Sequence, residues 1–195
     1  MKKYRLAILI SGRGSNMEAI LKAASADDYP AEPILVLSNR PSAAGLEIAQ
    51  THGVHTSIID HKPYGEDRKA FERAVNAVLR EHEIEIIALA GFMRILTPWF
   101  VGQWAGRMVN IHPSLLPKYP GLNTHARALA AGDAEHGCSV HWVIAGVDAG
   151  EVIDQARLKI ETHDTAESLA DRMLGLEHAL YPRALAAACR YLDDV

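Results

Sequence analysis

Residues 4–16 carry the sequence Tyr-Arg-Leu-Ala-Ile-Leu-Ile-Ser-Gly-Arg-Gly-Ser-Asn. Residues 4–10 form a short apolar run, which is typical of a buried strand, and the run ends at a glycine-rich turn. The residues that follow place Met17, Ile20 and Leu21 on one face at helical spacing, which predicts a helix over 15–24. A strand, a glycine-rich turn and a helix in this order form the first unit of an α/β sheet.

The alternation of strand and helix continues through the first half of the chain. Apolar runs predict strands at 34–37, 54–59, 84–89 and 108–111, and helical spacing predicts helices at 43–52, 66–81 and 98–104. Strands that alternate with helices pair in parallel, so we predict an α/β fold with a doubly wound, mostly parallel, Rossmann-like sheet.

The second half of the chain has a different pattern. Strands are predicted at 139–144 and 152–160, and the short connection between them favours antiparallel neighbours. A helix over about 165–191 follows, with Thr165 and Ser168 as start signals, although residues 165–168 do not match a capping box. We predict one domain over 1–195, with a phosphate-binding half, 1–110, and a C-terminal half, 111–195, that carries a catalytic loop.

Composition narrows the classes of partner. The 195 residues have a net charge of −4 and no basic block, which argues against a nucleic-acid partner. No apolar run approaches the ~18 residues of a membrane span, and the first run is too short for a signal peptide. Cys138, Cys189 and the ten histidines lack the spacing of a disulfide framework or a metal site. We expect a cytoplasmic protein without metal, nucleic-acid or membrane partners; the sequence leaves a homodimer open.

The most distinctive stretch is residues 110–121, Asn-Ile-His-Pro-Ser-Leu-Leu-Pro-Lys-Tyr-Pro-Gly. The preceding strand stops at Pro113, because proline cannot donate to a ladder. Side chains alternate along a strand, so Asn110 and His112 leave on the same face at its end. The Asn110 amide, which can donate to a carbonyl oxygen, thus lies beside the imidazole of His112, which titrates near neutral pH. This pair indicates a catalytic site rather than packed core residues.

The glycine-rich loop, residues 11–16, predicts a phosphate site. In an open parallel sheet, ligands bind at the carboxyl ends of the strands, where free N–H groups at a helix start attract phosphate. A Walker loop is excluded because no Gly-Lys-Ser/Thr follows, and the dinucleotide fingerprint fails because Met17 occupies its third glycine position. The alternative is a tight turn with Asn16 near the start of the helix.

Other polar residues are ambiguous from pattern alone. Asp148 lies in the glycine-flanked connection between two strands, where Asp is most often a turn residue, but a carboxylate beside His112 would raise the pKa of the imidazole. His141 fits a packed position as well as a functional one. Residues 91–96 follow a strand at the crevice edge and suit either a flat heteroaromatic ring or ordinary core, and Arg68 by itself is a surface charge.

Together these motifs resemble the phosphoribosylglycinamide formyltransferase family, folate-dependent enzymes of purine synthesis. The matching segments are 10–16, 90–96, 110–121, 135–141, 147–150 and 177–182. The His-Pro-Ser-Leu-Leu-Pro-Lys-Tyr-Pro-Gly run is highly specific, whereas the Gly-Ser-Asn loop alone is a weak match. The resemblance implies a formyltransferase fold and transfer of a formyl group from 10-formyltetrahydrofolate, a co-substrate, to the amine of glycinamide ribonucleotide (GAR).

The resemblance also implies roles for individual residues. Asn110 would bind the formyl oxygen as it becomes an oxyanion, His112 would move a proton to the departing folate nitrogen, and Asp148 would orient and charge His112. The segment Ser114–Gly137 is expected to be a lid that excludes water. The expected contacts are Gly14, Ser15, Asn16 and Glu177 for GAR, and Arg68, Met93, Arg94, Ile95, Leu96, Asn110 and Val143 for the folate.

Other activities share parts of this pattern. Formyltetrahydrofolate deformylase and methionyl-tRNA formyltransferase have the same Asn/His/Asp core, but normally with an additional N-terminal or C-terminal domain. A nucleotide-dependent oxidoreductase is disfavoured by Met17, and a non-catalytic folate or nucleotide sensor by the presence of all three polar residues. Two positions depart from the family pattern: Leu174 stands where some relatives carry a polar residue, which argues against a phosphate contact from that helix, and Ala149 stands where a glycine is common.

Overall fold

The computed structural model describes residues 2–193. Within this range, seven strands form one sheet: β1 (Tyr4–Ile10), β2 (Ala31–Ser38), β3 (His55–Ile58), β4 (Ile86–Leu89), β5 (Met108–His112), β6 (Glu135–Trp142) and β7 (Val152–Lys159). Their order is β3-β2-β1-β4-β5-β6-β7. The first five pair in parallel, whereas β5–β6 and β6–β7 are antiparallel. The predicted fold class is confirmed.

In the part of the chain that the structure describes, six α-helices connect or flank the strands. They are α1 (Ser15–Ala24), α2 (Gly45–Thr51), α3 (Arg68–Glu81), α4 (Pro98–Gln103), α5 (Thr124–Ala130) and α6 (Ala166–Asp193). Within residues 2–193, no helix combines the length and apolar character needed to cross a membrane.

Two apolar layers cover the sheet. Alternate residues of β1 enter opposite layers: Ile8 and Ile10 pack with residues of α1, α2 and α6, and Leu9 packs with residues of α3 and α4. Because β1 is buried on both faces, its sequence is a continuous apolar run rather than an alternating one. Each fully buried Leu or Ile contributes about 1.5–3 kcal/mol, which anchors the strand that leads into the glycine-rich loop.

In the second half of the chain, the observed bounds of the strands differ from those predicted from the sequence. The apolar pattern predicts a strand over 139–144, but β6 begins at Glu135 and ends at Trp142, so Val143 and Ile144 belong to the following loop. Glu135 pairs with Lys159 of β7, and this backbone pairing outweighs the polar character of the strand's start. Helix α5 lies inside the segment that the sequence predicts to be a lid.

The start of α6 is capped in a way that the sequence pattern does not predict. The Thr165 N–H donates to Ser168 Oγ at 2.9 Å, and the Ser168 N–H donates to Thr165 Oγ1 at 3.1 Å. This is the reciprocal arrangement of a capping box, with Ser in the position that Glu or Gln usually occupies. The cap fixes the beginning of the helix that carries Glu177.

Candidate functional site

The crevice lies at the carboxyl ends of β1, β4 and β5. The strand order reverses between β1 and β4, and open α/β sheets bind ligands at such a switch point. Two cavities open here. The β1 cavity, about 370 Å³, is lined by the glycine-rich loop and Glu177. The β5 cavity, about 140 Å³, is lined by Asn110, His141 and Asp148 among others.

The three predicted catalytic residues lie together at the edge of the β5 cavity. Asn110 and His112 are alternate residues of β5, and Asp148 reaches them from the loop between β6 and β7. Asp148 Oδ2 is 3.3 Å from His112 Nδ1, and Asp148 Oδ1 is 3.6 Å from His141 Nε2. The Gly121 N–H donates to Asp148 Oδ2 at 2.8 Å. The carboxylate therefore bridges two imidazoles.

His141 holds the amide of Asn110. The antiparallel register places Asn110 opposite His141, with Nδ2 of the amide 3.2 Å from Nε2 of the ring. His141 Nδ1 lies 2.9 Å from the Trp142 carbonyl oxygen, which can only accept, so Nδ1 carries the proton. Nε2 then accepts from Asn110 and leaves one amide hydrogen for a ligand. The signal that the sequence lacked was the β5–β6 register.

The two ring nitrogens of His112 face two oxygen acceptors. Its Nε2 donates to the Tyr119 carbonyl at 2.9 Å, which leaves Nδ1 facing Asp148. Burial lowers the pKa of His112 below its usual value, and this effect outweighs the Tyr119 carbonyl and Asp148, which both raise it. Asp148 thus raises the pKa of His112 in the expected direction, although burial has the larger effect, and its role in charging His112 stays a prediction.

Asp148 remains a carboxylate. Burial raises its pKa, but the neighbouring imidazole of His141, the Gly121 N–H and the neighbouring imidazole of His112 together lower it further than burial raises it. The backbone of Asp148 has φ +49°, in the left-handed region, which Asp tolerates better than most residues. A carboxylate held beside a neutral imidazole stabilises the imidazolium that forms when a proton arrives.

The β5–α5 loop, residues 113–123, covers His112. The Ser139 hydroxyl on β6 donates to the Ser114 carbonyl at 2.6 Å and fixes the start of the loop. Tyr119, with φ +54°, then turns its carbonyl onto His112 Nε2. Because both ring nitrogens are engaged, the Tyr119 carbonyl must leave Nε2 before His112 can exchange a proton with a ligand.

The predicted phosphate residues line the β1 cavity. Gly14, with φ +79°, is the N-cap of α1, and no side chain caps the helix, so the free N–H groups of its first turn lie at this cavity. Asn16 Nδ2 donates to Glu177 Oε2 at 2.6 Å, which links the glycine-rich loop to α6. Asn16 Oδ1 is buried without a partner among residues 2–193. Burial raises the pKa of Glu177, and the Asn16 hydrogen bond offsets this only in part.

The β1 cavity includes residues that the sequence analysis did not assign to it. Arg13 and Arg40 line it and add two positive charges near the start of α1. Leu174, which departs from the family pattern, also lines it, as does Met93, expected at the folate. Arg40 follows β2, whose carboxyl end opens on the same edge, and that position was the available signal.

Most of the predicted folate-binding residues line the β5 cavity. Arg94, Ile95, Leu96, Asn110 and Val143 line it, together with the loop 144–148. Arg68 is exposed at the first residue of α3 and lines neither cavity. The buried Glu72 accepts the Thr97 N–H at 2.6 Å, and Thr97 caps α4. Glu72 thereby fixes the end of the segment 91–96.

Comparison with known proteins gives matches over nearly the whole chain. The family model described as Formyl transferase matches residues 4–185. Phosphoribosylglycinamide formyltransferase from Escherichia coli (strain K12) is 43% identical over 177 residues, which cover 91% of this chain and 83% of that protein. The trifunctional purine biosynthetic protein adenosine-3 of Bos taurus is 45% identical over 184 residues. These are 94% of this chain but 18% of that protein, so the chain spans less than a fifth of that relative.

A solved structure also matches. The crystal structure of phosphoribosylglycinamide formyltransferase from Brucella melitensis superposes with a TM-score of 0.92 at 45% sequence identity. The match covers 96% of this chain and 96% of that one. The similarity in sequence and the similarity in fold therefore extend over the same span.

Proposed function

The chain belongs to the formyl transferase family, and on this premise we propose that it transfers the formyl group of 10-formyltetrahydrofolate to the amine of GAR. The products are formyl-GAR and tetrahydrofolate, as in purine synthesis. One observation carries the proposal: Asp148 Oδ2 lies 3.3 Å from His112 Nδ1 beside Asn110. We place the reaction in the cytoplasm, because both substrates are polyanions that do not cross a bilayer unaided.

GAR is proposed to bind in the β1 cavity. The N-terminus of α1 offers free N–H groups and the positive end of the helix dipole to the phosphate, and Arg13 and Arg40 add positive charge. A Cβ on Gly14 would lie 2.8 Å from Gly45 Cα, so only glycine permits this tight loop. Ser15 and Asn16 complete the phosphate contacts, and Glu177 serves the ribose or glycinamide end.

The folate is proposed to bind in the β5 cavity. Ile95, Leu96 and Val143 give apolar walls for a flat pterin ring, and exposed backbone groups of the adjoining loop 144–148 supply hydrogen bonds. Arg94 and Arg68 are the proposed partners of the anionic glutamate tail. Asn110 lines the β5 cavity, and Ile111 and Pro113 line the β1 cavity, so adjacent residues at the end of β5 border both. Ligands in the two cavities would bring the formyl carbon close to the amine, and proximity accounts for much of the acceleration in such reactions.

The proposed chemistry moves one proton and one formyl group. The neutral GAR amine attacks the formyl carbon, and the carbonyl oxygen becomes an oxyanion that accepts a hydrogen bond from Asn110 Nδ2. Once the Tyr119 carbonyl has moved and the ring proton lies on Nδ1 towards Asp148, His112 Nε2 takes the proton that the attacking nitrogen loses and delivers it to the folate nitrogen as the C–N bond breaks. Asp148 stabilises the imidazolium between these two transfers.

No enzyme nucleophile is required in this scheme. The substrate amine attacks directly, so a covalent intermediate on the protein has no role. Burial raises the pKa of the Cys138 thiol to about 12, and that of Cys189 also to about 12, so both remain protonated and unreactive. The groups that remain, Asn110, His112 and Asp148, are those of direct acyl transfer.

A product assay tests the proposal. The protein is incubated with GAR and 10-formyltetrahydrofolate, and formyl-GAR, tetrahydrofolate and formate are quantified, with a parallel reaction that lacks GAR. We expect formyl-GAR and tetrahydrofolate in equal amounts and little formate in either reaction. Formate that appears at the same rate with and without GAR would identify a hydrolase and overturn the proposal.

A further inference from the structure

Ser11 lies where the two proposed binding regions meet. The ladder between β1 and β4 ends where the Ala90 N–H donates to the Leu9 carbonyl at 2.9 Å. Beyond that point one chain enters the glycine-rich loop and the other enters the segment 91–96. Ser11 Oγ spans the gap by accepting the Met93 N–H at 2.7 Å. Among residues 2–193, it makes the only hydrogen bond that joins the two segments.

The Ser11 hydroxyl is also anchored on the other side. It donates its one hydrogen to Asn39 Oδ1 at 2.5 Å, which leaves its lone pairs for the Met93 amide. Ser11 is 4% exposed and Asn39 is 0% exposed, so water cannot replace either bond when the hydroxyl is removed. The geometry of the hydroxyl is therefore fixed by two buried partners.

Asn39 itself is held rigidly at the end of β2. His61 Nδ1 donates to the Asn39 carbonyl at 2.9 Å, and the Arg40 N–H donates to Ser38 Oγ at 3.0 Å. Arg40 lines the β1 cavity directly after this anchor. Hydrogen bonds thus tie the ends of β2, β1 and β4 together across the switch point of the sheet.

We infer that Ser11 is a positioning residue that couples the two substrate sites, so that a ligand in one cavity orders the other. This inference rests on the proposed function, since it requires both substrates. Met93 lines the β1 cavity and the next residue, Arg94, lines the β5 cavity. A shift of the Met93 amide therefore moves a wall of each cavity. Such coupling is reciprocal: GAR tightens folate binding by the factor by which folate tightens GAR binding.

Calorimetry measures this factor directly. GAR is titrated into the full chain alone and with saturating tetrahydrofolate, the product that cannot react with it. We expect tetrahydrofolate to tighten GAR binding by about fivefold or more in the unchanged protein. In Ser11→Ala the ratio is expected to fall below about twofold, whereas Ser11→Thr, which keeps the hydroxyl, is expected to restore it.

Two further variants separate coupling from stability. Ser25→Ala removes an exposed hydroxyl that bonds only the Lys22 carbonyl, at 2.7 Å, and is expected to keep the full ratio. Ser11→Cys preserves the size of the side chain but donates and accepts weakly, so its ratio should fall even if Ser11→Ala does not fold.

The outcomes distinguish the two proposals. A ratio near one in the unchanged protein, or an undiminished ratio in Ser11→Cys, overturns the coupling while formyl-GAR production stands. An unchanged protein that binds neither ligand overturns the proposed function and the coupling with it.

Discussion

The two sides of the crevice are built on different principles. The β1 cavity rests on the ends of parallel strands; Ser11, which lines it, is 4% exposed, and Asn39, the hydrogen-bond partner of Ser11, is 0% exposed. The β5 cavity borders an antiparallel part of the sheet, and two of its lining residues, Ile144 and Val147, are 49% and 55% exposed. We interpret the first side as preformed and the second as one that loops complete around a ligand.

Backbone conformation shows the same contrast. Among residues 2–193, four non-glycine residues have positive φ. Three of them, Tyr119, Asn123 and Asp148, belong to the loops around the β5 cavity and His112, which we call the catalytic side. Left-handed residues other than glycine persist where surrounding contacts hold them, and they concentrate at functional sites. The catalytic side thus holds a strained arrangement, whereas the β1 cavity uses glycine at Gly14.

Removal of the imidazole is expected to have the largest effect on the catalytic side. His112→Ala should lower kcat by about 10³-fold, within the range that general acid–base catalysis supplies, and leave both KM values nearly unchanged. Steady-state formation of formyl-GAR measures both parameters. His163→Ala, at an exposed histidine, is the control and should retain full activity. Equal activity in the two variants would remove His112 from the mechanism.

Asp148→Asn is expected to lower kcat/KM by about 10²-fold and to move the acidic limb of the rate profile. Asp148 raises the pKa of His112 against the larger effect of burial, so its loss lowers that pKa further. The limb should therefore shift to lower pH in a profile of kcat/KM measured from pH 4 to 8. A limb that stays in place would contradict the coupling between the two residues.

The catalytic side should also be the acid-sensitive side of the fold. Burial lowers the pKa of His136, whose Nε2 is 3.1 Å from His125 Nδ1, to about 4. The unfolded chain binds this proton near pH 6.5, so stability is full above that pH and falls as pH drops towards 4. Between pH 7 and 5 we expect a loss of about 2 kcal/mol in urea unfolding.

A variant without this titration provides the comparison for the acid effect. His136→Asn keeps a polar side chain but binds no proton, so its stability should change less between pH 7 and 5. Equal losses in the variant and the unchanged protein would show that other groups cause the acid sensitivity.

The smallest expected effect tests how rigid the β1 cavity is. In Gly45→Ala the new Cβ would lie 2.6 Å from Ile10 Cδ1 and 3.0 Å from Gly14 Cα, so the glycine-rich loop must move. We expect KM for GAR to rise about tenfold, equivalent to about 1.4 kcal/mol, with KM for the folate unchanged. Gly175→Ala on α6, with open space around its Cβ, is the matched control. An unchanged KM for GAR would show that this side adapts as freely as the other.

The parallel half was predictable from local patterns. The bounds of β1 and α1 follow from the apolar run and from the helical spacing of Met17, Ile20 and Leu21, and the structure reproduces both. The glycine-rich loop lies between them, and the general rule for strand ends was enough to place it at the crevice. Sequence and structure agree here because neighbours in space are neighbours along the chain.

The antiparallel half was predictable only in part. Asp148 approaches His112 through the registers of β5–β6 and β6–β7, and no spacing along the chain encodes those registers; only the family resemblance indicated the pair. His141 remained ambiguous for the same reason, because its partner Asn110 lies on another strand. The lowered pKa of His112 depends on burial beneath the β5–α5 loop, which is a tertiary property.

Under the proposed function, the Tyr119 carbonyl on His112 Nε2 has a consequence for the complex that holds the formyl donor before the acceptor binds. The bound donor carries an activated formyl group, and hydrolysis would lose that group as formate and leave tetrahydrofolate. While the Tyr119 carbonyl stays in place, neither ring nitrogen of His112 is free to activate a water molecule. We therefore expect little hydrolysis of the formyl donor until the acceptor binds and the β5–α5 loop moves away from His112.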